Sequence, residues 1–406
     1  MRSKSSWIAS RVGKLSGEGA LAVFARAHEL ESEGRSIIHL ELGEPDFHPG
    51  PEVVQAAKDA LDAGKDRYAA VAGVPVLRQA IADYLHRTRN VNVDASHVIV
   101  GPGCKIMLFL ALMAVVDEGD EVLYPNPCFP AYASVTRGLG GVPVPFSLLE
   151  RNRFQPDLDE IAALITPRTK VLMTNSPSNP TGTVYKDEVQ RGLADLAIKH
   201  DLVVLSDEIY ARIIYGGTYK SMISYPGMAE RTVIIDGFSK SFGMTGWRLG
   251  FAVAPPQVFS ALHMLAINSF TCVNEFAQYG AVQALEDRAG TTPRMVQEFA
   301  RRREQFIAGL NRIPGFHCIP PEGAFYAWVN ISDTGLSAEQ VCHIMLEEGG
   351  VAANPGAAFG SAGKDFVRFS FASSSALLQQ AVERIQKVSS AWSARTRKPE
   401  LAGKPS

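Results

Sequence analysis

Chemically useful residues are densest in GFSKSFGMTGWRLGF (237–251), where Lys240 follows a small turn and Arg248 comes eight residues later. An ammonium is no nucleophile, so a lysine that attacks a carbonyl must be desolvated and partly neutral. A nearby arginine can hold a phosphate dianion as a planar fork, and the Ser239 hydroxyl can add a donor. Lys240 and Arg248 therefore read as the amine and the anion holder of a Schiff-base site. Taken singly, each passes for a surface lysine or a structural arginine. The combination carries the reading.

Other chemistry-bearing turns also follow apolar runs. NSPSNPTG (175–182), with Asn179, comes after VLMT, and Asp207 and Tyr210 come after VVLS. Gly103, Cys104 and Lys105 lie between VIV and a helical run at 106–116, where the first N–H groups of a helix suit an anion. A thiolate at Cys104 would be stabilised there, although an inert buried thiol is the preferred reading for it, as for Cys128. Gly43 in LGEPDF, Tyr68 in RYAAVAG, Phe129 in PNPCFPAY and Arg368 in FVRFSF complete the set. Alone, Phe129 is a core aromatic and Arg368 an ordinary strand arginine.

Strands must hold these turns at one rim. Short apolar runs predict strands at 121–124, 142–145, 170–174, 202–206, 232–236 and 249–253, with helical patterns such as 186–200 between them. VLMT, VVLS and VIID are continuously apolar, as parallel strands covered on both faces require. The alternation predicts an α/β fold with a mainly parallel, doubly wound sheet, whose sites lie at the carboxyl ends of the strands. Beyond about residue 290 the texture becomes α+β: a charged helix at 293–312, a strand in PEGAFYAWVNIS, a helix near 337–348, FVRFSF, and a helix near 374–391. The division expected is an N-terminal arm and part of a small domain over 1–50, a large domain over 51–290, and a small domain over 291–406 with a loose tail from about 394.

Composition bounds the function. The chain has 406 residues, 46% hydrophobic and 20% charged, with 40 Lys+Arg against 42 Asp+Glu and a formal charge of -2. That is a globular chain of two or three domains, at roughly 150 residues each. It carries no broad basic face for nucleic acid and no apolar stretch of membrane length. Five scattered cysteines fit neither a disulfide framework nor a C-x-x-C site, and the nine histidines show no ligand spacing. A reducing, cytoplasmic setting without a metal is expected. The start, MRSKSSWIASRVGKL, lacks acids in the manner of a transit peptide, but reads first as a frayed arm.

The run around Lys240 matches the signature of the class I/II aminotransferases residue for residue. The chain resembles the fold-type-I enzymes dependent on pyridoxal 5′-phosphate (PLP), most closely the bacterial-type aspartate aminotransferase branch. The resemblance runs from about residue 9 to residue 391. It implies that Lys240 holds PLP as a Schiff base and then shuttles a proton. Asp207 would pair with the pyridinium nitrogen, while Asn179 and Tyr210 would bind the 3′-oxygen. Gly103, Cys104, Lys105, Ser239 and Arg248 would line the phosphate cup, and Phe129 would stack on the ring. Tyr68 would reach the neighbouring site of a homodimer. Arg368 and Gly43 would bind the α-carboxylate. Lys105 pairs with a distal carboxylate, sits on the phosphate, or is solvated.

The function so implied is ping-pong transfer of an amino group from an L-amino acid, aspartate or glutamate leading, to a 2-oxo acid such as 2-oxoglutarate. Aromatic amino acids, alanine and methionine are alternative substrates. A carbon–sulfur lyase on the same fold is a rival reaction, although SPSNPTG looks like the transaminase version of its loop. A ligand-sensing regulator would need a DNA-binding domain, for which there is no room before Gly43.

Overall fold

The computed structural model describes residues 7–17, 19–390 and 392; the loose tail expected from about 394 lies outside the described residues. A seven-stranded sheet organises the middle of the chain. Its strands are β1 (Val98–Gly101), β2 (Glu121–Asn126), β3 (Val142–Ser147), β4 (Thr169–Asn175), β5 (Val203–Asp207), β6 (Thr232–Gly237) and β7 (Gly250–Val253). They lie in the order β1-β7-β6-β5-β4-β2-β3. All run parallel except β7, which is antiparallel to both neighbours.

Sequence explains the arrangement. Nearly every side chain of β4, β5 and β6 is buried, so these strands need apolar residues on both faces, and VLMT, VVLS and VIID supply them. Helices between successive strands, such as Asp187–Lys199, make the crossovers that parallel pairing requires. The antiparallel sense of β7 has a local cause. After β6 the chain makes one excursion, 238–249, and returns beside the same strand, pairing Gly237 with Gly250. A Cβ on Gly237 would lie 2.9 Å from the Gly250 Cα, so this close approach needs glycine. Arg248 closes the excursion in the left-handed region, at φ 54°.

A four-stranded antiparallel sheet forms from the C-terminal segments, in the order 354–355, 366–370, 326–330, 317–318. Its core holds the aromatics Phe299, Phe306, Phe325 and Phe369. Ile38–His39 pairs in parallel with Val351–Ala352, which ties the N-terminal segment to this region. The helix expected at 106–116 begins earlier, at Cys104, so its first turn lies directly beside the sheet rim. No helix among the described residues is long and apolar enough to cross a membrane.

A buried ion cluster locks the rim. The Arg89 Nη1 atom lies 2.6 Å from Glu208 Oε2, Nη2 meets Asp236, and all three side chains are nearly inaccessible. Glu208 Oε1 also accepts from the hydroxyls of Ser221 (2.6 Å) and Ser206 (3.0 Å). The cluster joins the end of helix Pro75–Arg89 to the ends of β5 and β6, next to Asp207. Removing one partner of such a group leaves uncompensated buried charge, at a cost of about 3–5 kcal/mol. Arg89→Met is therefore expected to lower the unfolding free energy in urea by about that amount. A loss below about 1 kcal/mol, the range of exposed pairs, would show that the cluster does not hold the rim.

Candidate active site

The carboxyl ends of β4, β5 and β6 open into a cavity of about 360 Å³, within the usual range for a small-molecule site. Gly43, Cys104, Lys105, Phe129, Asn179, Asp207, Tyr210, Ser239, Lys240, Arg248 and Arg368 all line it. Gly103 stands just behind the wall: a Cβ there would lie 2.4 Å from the Arg248 guanidinium. Tyr68 is not brought in, being 90% exposed on the chain's outer surface.

Lys240 follows β6 by three residues, and its Nζ donates to the Gly43 carbonyl. Desolvation, reinforced by the positive charge of Arg368, pulls its amine down to about 8. Asp207 ends β5. Its Oδ2 accepts from the Tyr132 hydroxyl at 2.7 Å and its Oδ1 from the Ile209 amide at 3.2 Å. Both bonds favour the carboxylate, yet burial outweighs them and raises Asp207 to about 6. Such an acid gains most from a cationic partner placed beside it.

Asn175, the last residue of β4, ties two loops together. Its side chain donates to the Asp207 carbonyl at 3.1 Å and accepts from the Asn179 amide at 2.8 Å. Asn179 Oδ1 accepts from Arg368 Nη1 at 3.0 Å, and Arg368 Nη2 donates to the Glu41 carbonyl at 2.6 Å. The Arg368 guanidinium is sandwiched by Tyr326 and Phe359, each ring centre 4.5 Å away. It is held flat, with its fork fixed. Tyr210 and Tyr326 share a hydroxyl hydrogen bond of 2.8 Å. Tyr326 also explains Gly43: any Cβ there would lie 2.0 Å from the tyrosine hydroxyl.

Arg248 stands at the opposite side, where its Nη1 donates to the Thr245 carbonyl at 2.9 Å. It faces Gly103 and the first turn of helix Cys104–Val115, whose N–H groups make this an anion-binding corner. Burial and the neighbouring Asp207 push the Cys104 thiol well up, which favours the inert-thiol reading over the thiolate. The Lys105 Nζ lies 5.4 Å from the centre of the Phe129 ring, so this corner offers both a cation and an apolar face.

Tyr132, Asn175, Tyr326 and the Glu41 carbonyl were not singled out from sequence. Tyr132 had a signal, since it stands three residues after Phe129 at the start of helix Ala131–Gly138. Asn175 ends the VLMTN strand and could have been marked with its loop. Tyr326 and Glu41 had none, because their roles come from strands far apart in the chain.

A family model for class I and II aminotransferases matches residues 35–385. The chain is similar to the aspartate aminotransferase of Pyrococcus abyssi, with 40% identity across 87% of this chain and 92% of that protein. The solved aspartate aminotransferase of Thermus thermophilus with maleate is 36% identical and superposes with a TM-score of 0.89, covering 96% of this chain and all of that one. An aromatic aminotransferase from Pyrococcus horikoshii is 37% identical with a TM-score of 0.86, covering 92% of this chain and 99% of its own. A lysine amine, a buried acid and two arginines thus line one cavity of a chain that matches this group over residues 35–385, and the protein belongs to the class I and II aminotransferases.

Proposed function

We propose that the cavity holds PLP and that the protein moves the amino group of a dicarboxylic L-amino acid, aspartate or glutamate, to a 2-oxo acid. The observation that carries this reading is the Lys240 amine, drawn down to about 8 in a cavity shared with Asp207, Arg248 and Arg368. The donor set fits the cofactor: an acid, an amine and an anion corner line one cavity, and Gly43 and Gly103 stand where a Cβ would not fit. When bound, PLP supplies an aldehyde and a ring that accepts electron density.

Each residue has a distinct task. Asp207 is assigned to the ring nitrogen, with Tyr132 and the Ile209 amide keeping the carboxylate oriented. Asn179 and Tyr210 face the ring oxygen, and Phe129 provides a stacking surface. Arg248, Ser239 and the backbone of Gly103 and Cys104 take the phosphate. Arg368, already planar and braced, takes the α-carboxylate together with the Gly43 backbone. The Lys240 amine, neutral in an appreciable fraction at physiological pH, removes a proton at the substrate Cα and returns it. Lys105 is assigned to the distal carboxylate.

The same reading makes the active unit a homodimer. The exposure of Tyr68 supports it, since the phosphate of one site would then receive Tyr68 of the partner subunit. It takes 51–290 as the part that carries Lys240 and 291–406, with the first 50 residues, as the part that supplies Arg368, and it sets the protein in the cytoplasm. A second reading, with aromatic substrates, is favoured by the Phe129 face beside Lys105 and by the likeness to the Pyrococcus horikoshii enzyme.

Borohydride treatment of PLP-loaded protein is expected to fix one cofactor on the peptide containing Lys240. Lys240→Ala is expected to lose that adduct and at least about a hundredfold in kcat. An adduct on another lysine, or a variant with near-normal turnover, would refute the assignment. Lys105→Ala separates the two substrate readings. With a distal carboxylate as partner, kcat/KM for aspartate falls about tenfold, worth ~1.4 kcal/mol, while that for phenylalanine holds. Equal effects on both substrates would discard the dicarboxylate reading.

A further inference from the structure

Helix Gly19–Ser32 and strand Ile38–His39 bring two imidazoles and a carboxylate to one point outside the cavity. His28 and Glu31 stand three residues apart on one helix face, and His28 Nδ1 lies 3.5 Å from Glu31 Oε2. His39 Nε2 lies 3.1 Å from Glu31 Oε1. One ligand atom from each residue falls within 4.8 Å of the other two. Ligands at about 2.0–2.1 Å from a tetrahedral zinc ion stand about 3.3 Å apart. Each imidazole has that spacing from one oxygen of Glu31, His28 from Oε2 and His39 from Oε1, and the three ligand atoms gather within 4.8 Å.

A second observation points to a ligand. Glu41 is fully buried; its Oε1 meets His39 Nδ1 at 2.7 Å, while its Oε2 has no hydrogen-bond partner among the described residues. A carboxylate on one imidazole nitrogen places the proton there and directs the lone pair of the other outward, which is how histidine ligands are commonly oriented. Here that nitrogen, Nε2, lies 3.1 Å from Glu31 Oε1, on the side where the three ligand atoms gather.

We propose that His28, Glu31 and His39 form a site for a divalent transition cation of the zinc type, with water as fourth ligand and Glu41 orienting His39. Two imidazoles suit zinc and disfavour magnesium, which prefers oxygen ligands. Spacing along the chain does not mark the set, because a helix and a strand contribute to it. The ion would pin the helix to the strand that leads into Gly43. Both flanks of this pair reach the active site: Glu41, two residues after the strand, offers its carbonyl to Arg368, and Gly19, at the start of the helix, lines the cavity.

Equilibrium dialysis of the protein as purified, against Zn²⁺ and separately against Mg²⁺, tests this. The expected result is one Zn²⁺ per chain, bound at least about tenfold more weakly in His28→Asn and in Glu31→Gln, with no matching Mg²⁺ site. Both residues are exposed, so the variants should fold, and unchanged metal-free thermal midpoints check that they do. Co²⁺ in place of Zn²⁺ is expected to show the visible absorption of a four-coordinate site, lost in both variants. Zn²⁺ uptake that is absent, matched by Mg²⁺, or unchanged in the His28→Asn, Glu31→Gln double variant would overturn the proposal.

Discussion

An amine useful for carbonyl chemistry has to lose its proton near neutral pH, and Lys240 lies in a cavity that Asp207, Arg248 and Arg368 also line. Burial and the fixed charge of Arg368 together move it toward that state, drawing the amine down to about 8. The same arginine that would grip a substrate carboxylate thus conditions the lysine that would act on that substrate. Arg368 can serve both ends only if it does not move, and its surroundings see to that. Asn179 and the Glu41 carbonyl hold its nitrogens, while Tyr326 and Phe359 clamp its faces.

The rest of the fold delivers these groups to one place. β4, β5 and β6 end side by side, presenting Asn175, Asp207 and the Lys240 turn in successive positions along the sheet. The Arg89–Glu208–Asp236 cluster fixes that edge from beneath. Arg368 arrives from the antiparallel C-terminal sheet, and Gly43 from the N-terminal segment that pairs with Val351–Ala352. Fixing Lys240, Asp207 and Arg368 relative to one another therefore needs all three parts of the chain.

The sequence made the strand ends legible because their chemistry follows uninterrupted apolar runs. Asp207, Asn179 and Lys240 were found that way, with the signature around Lys240 binding them to one family. What escaped was whatever depends on partners far away in the chain. Tyr326 matters because its hydroxyl fills the space a Gly43 side chain would need and reaches Tyr210. Glu41 matters through its carbonyl, which no side-chain pattern reveals. The antiparallel return of β7 was likewise hidden, since an apolar run carries no direction. The helix facing Arg248 starts two residues earlier than its apolar pattern suggested, because Cys104 and Lys105 belong to the first turn.

A transaminase site keeps the amino group it removes until a second oxo acid collects it. A single-turnover experiment reads that directly: mix PLP-loaded protein with L-aspartate, leave out any oxo-acid acceptor, and measure oxo acid and ammonia together. One equivalent of oxo acid per site, no free ammonia, and renewed turnover only when 2-oxoglutarate is added is the predicted result. Continuous release of ammonia without an acceptor would contradict it and make the site that of a lyase.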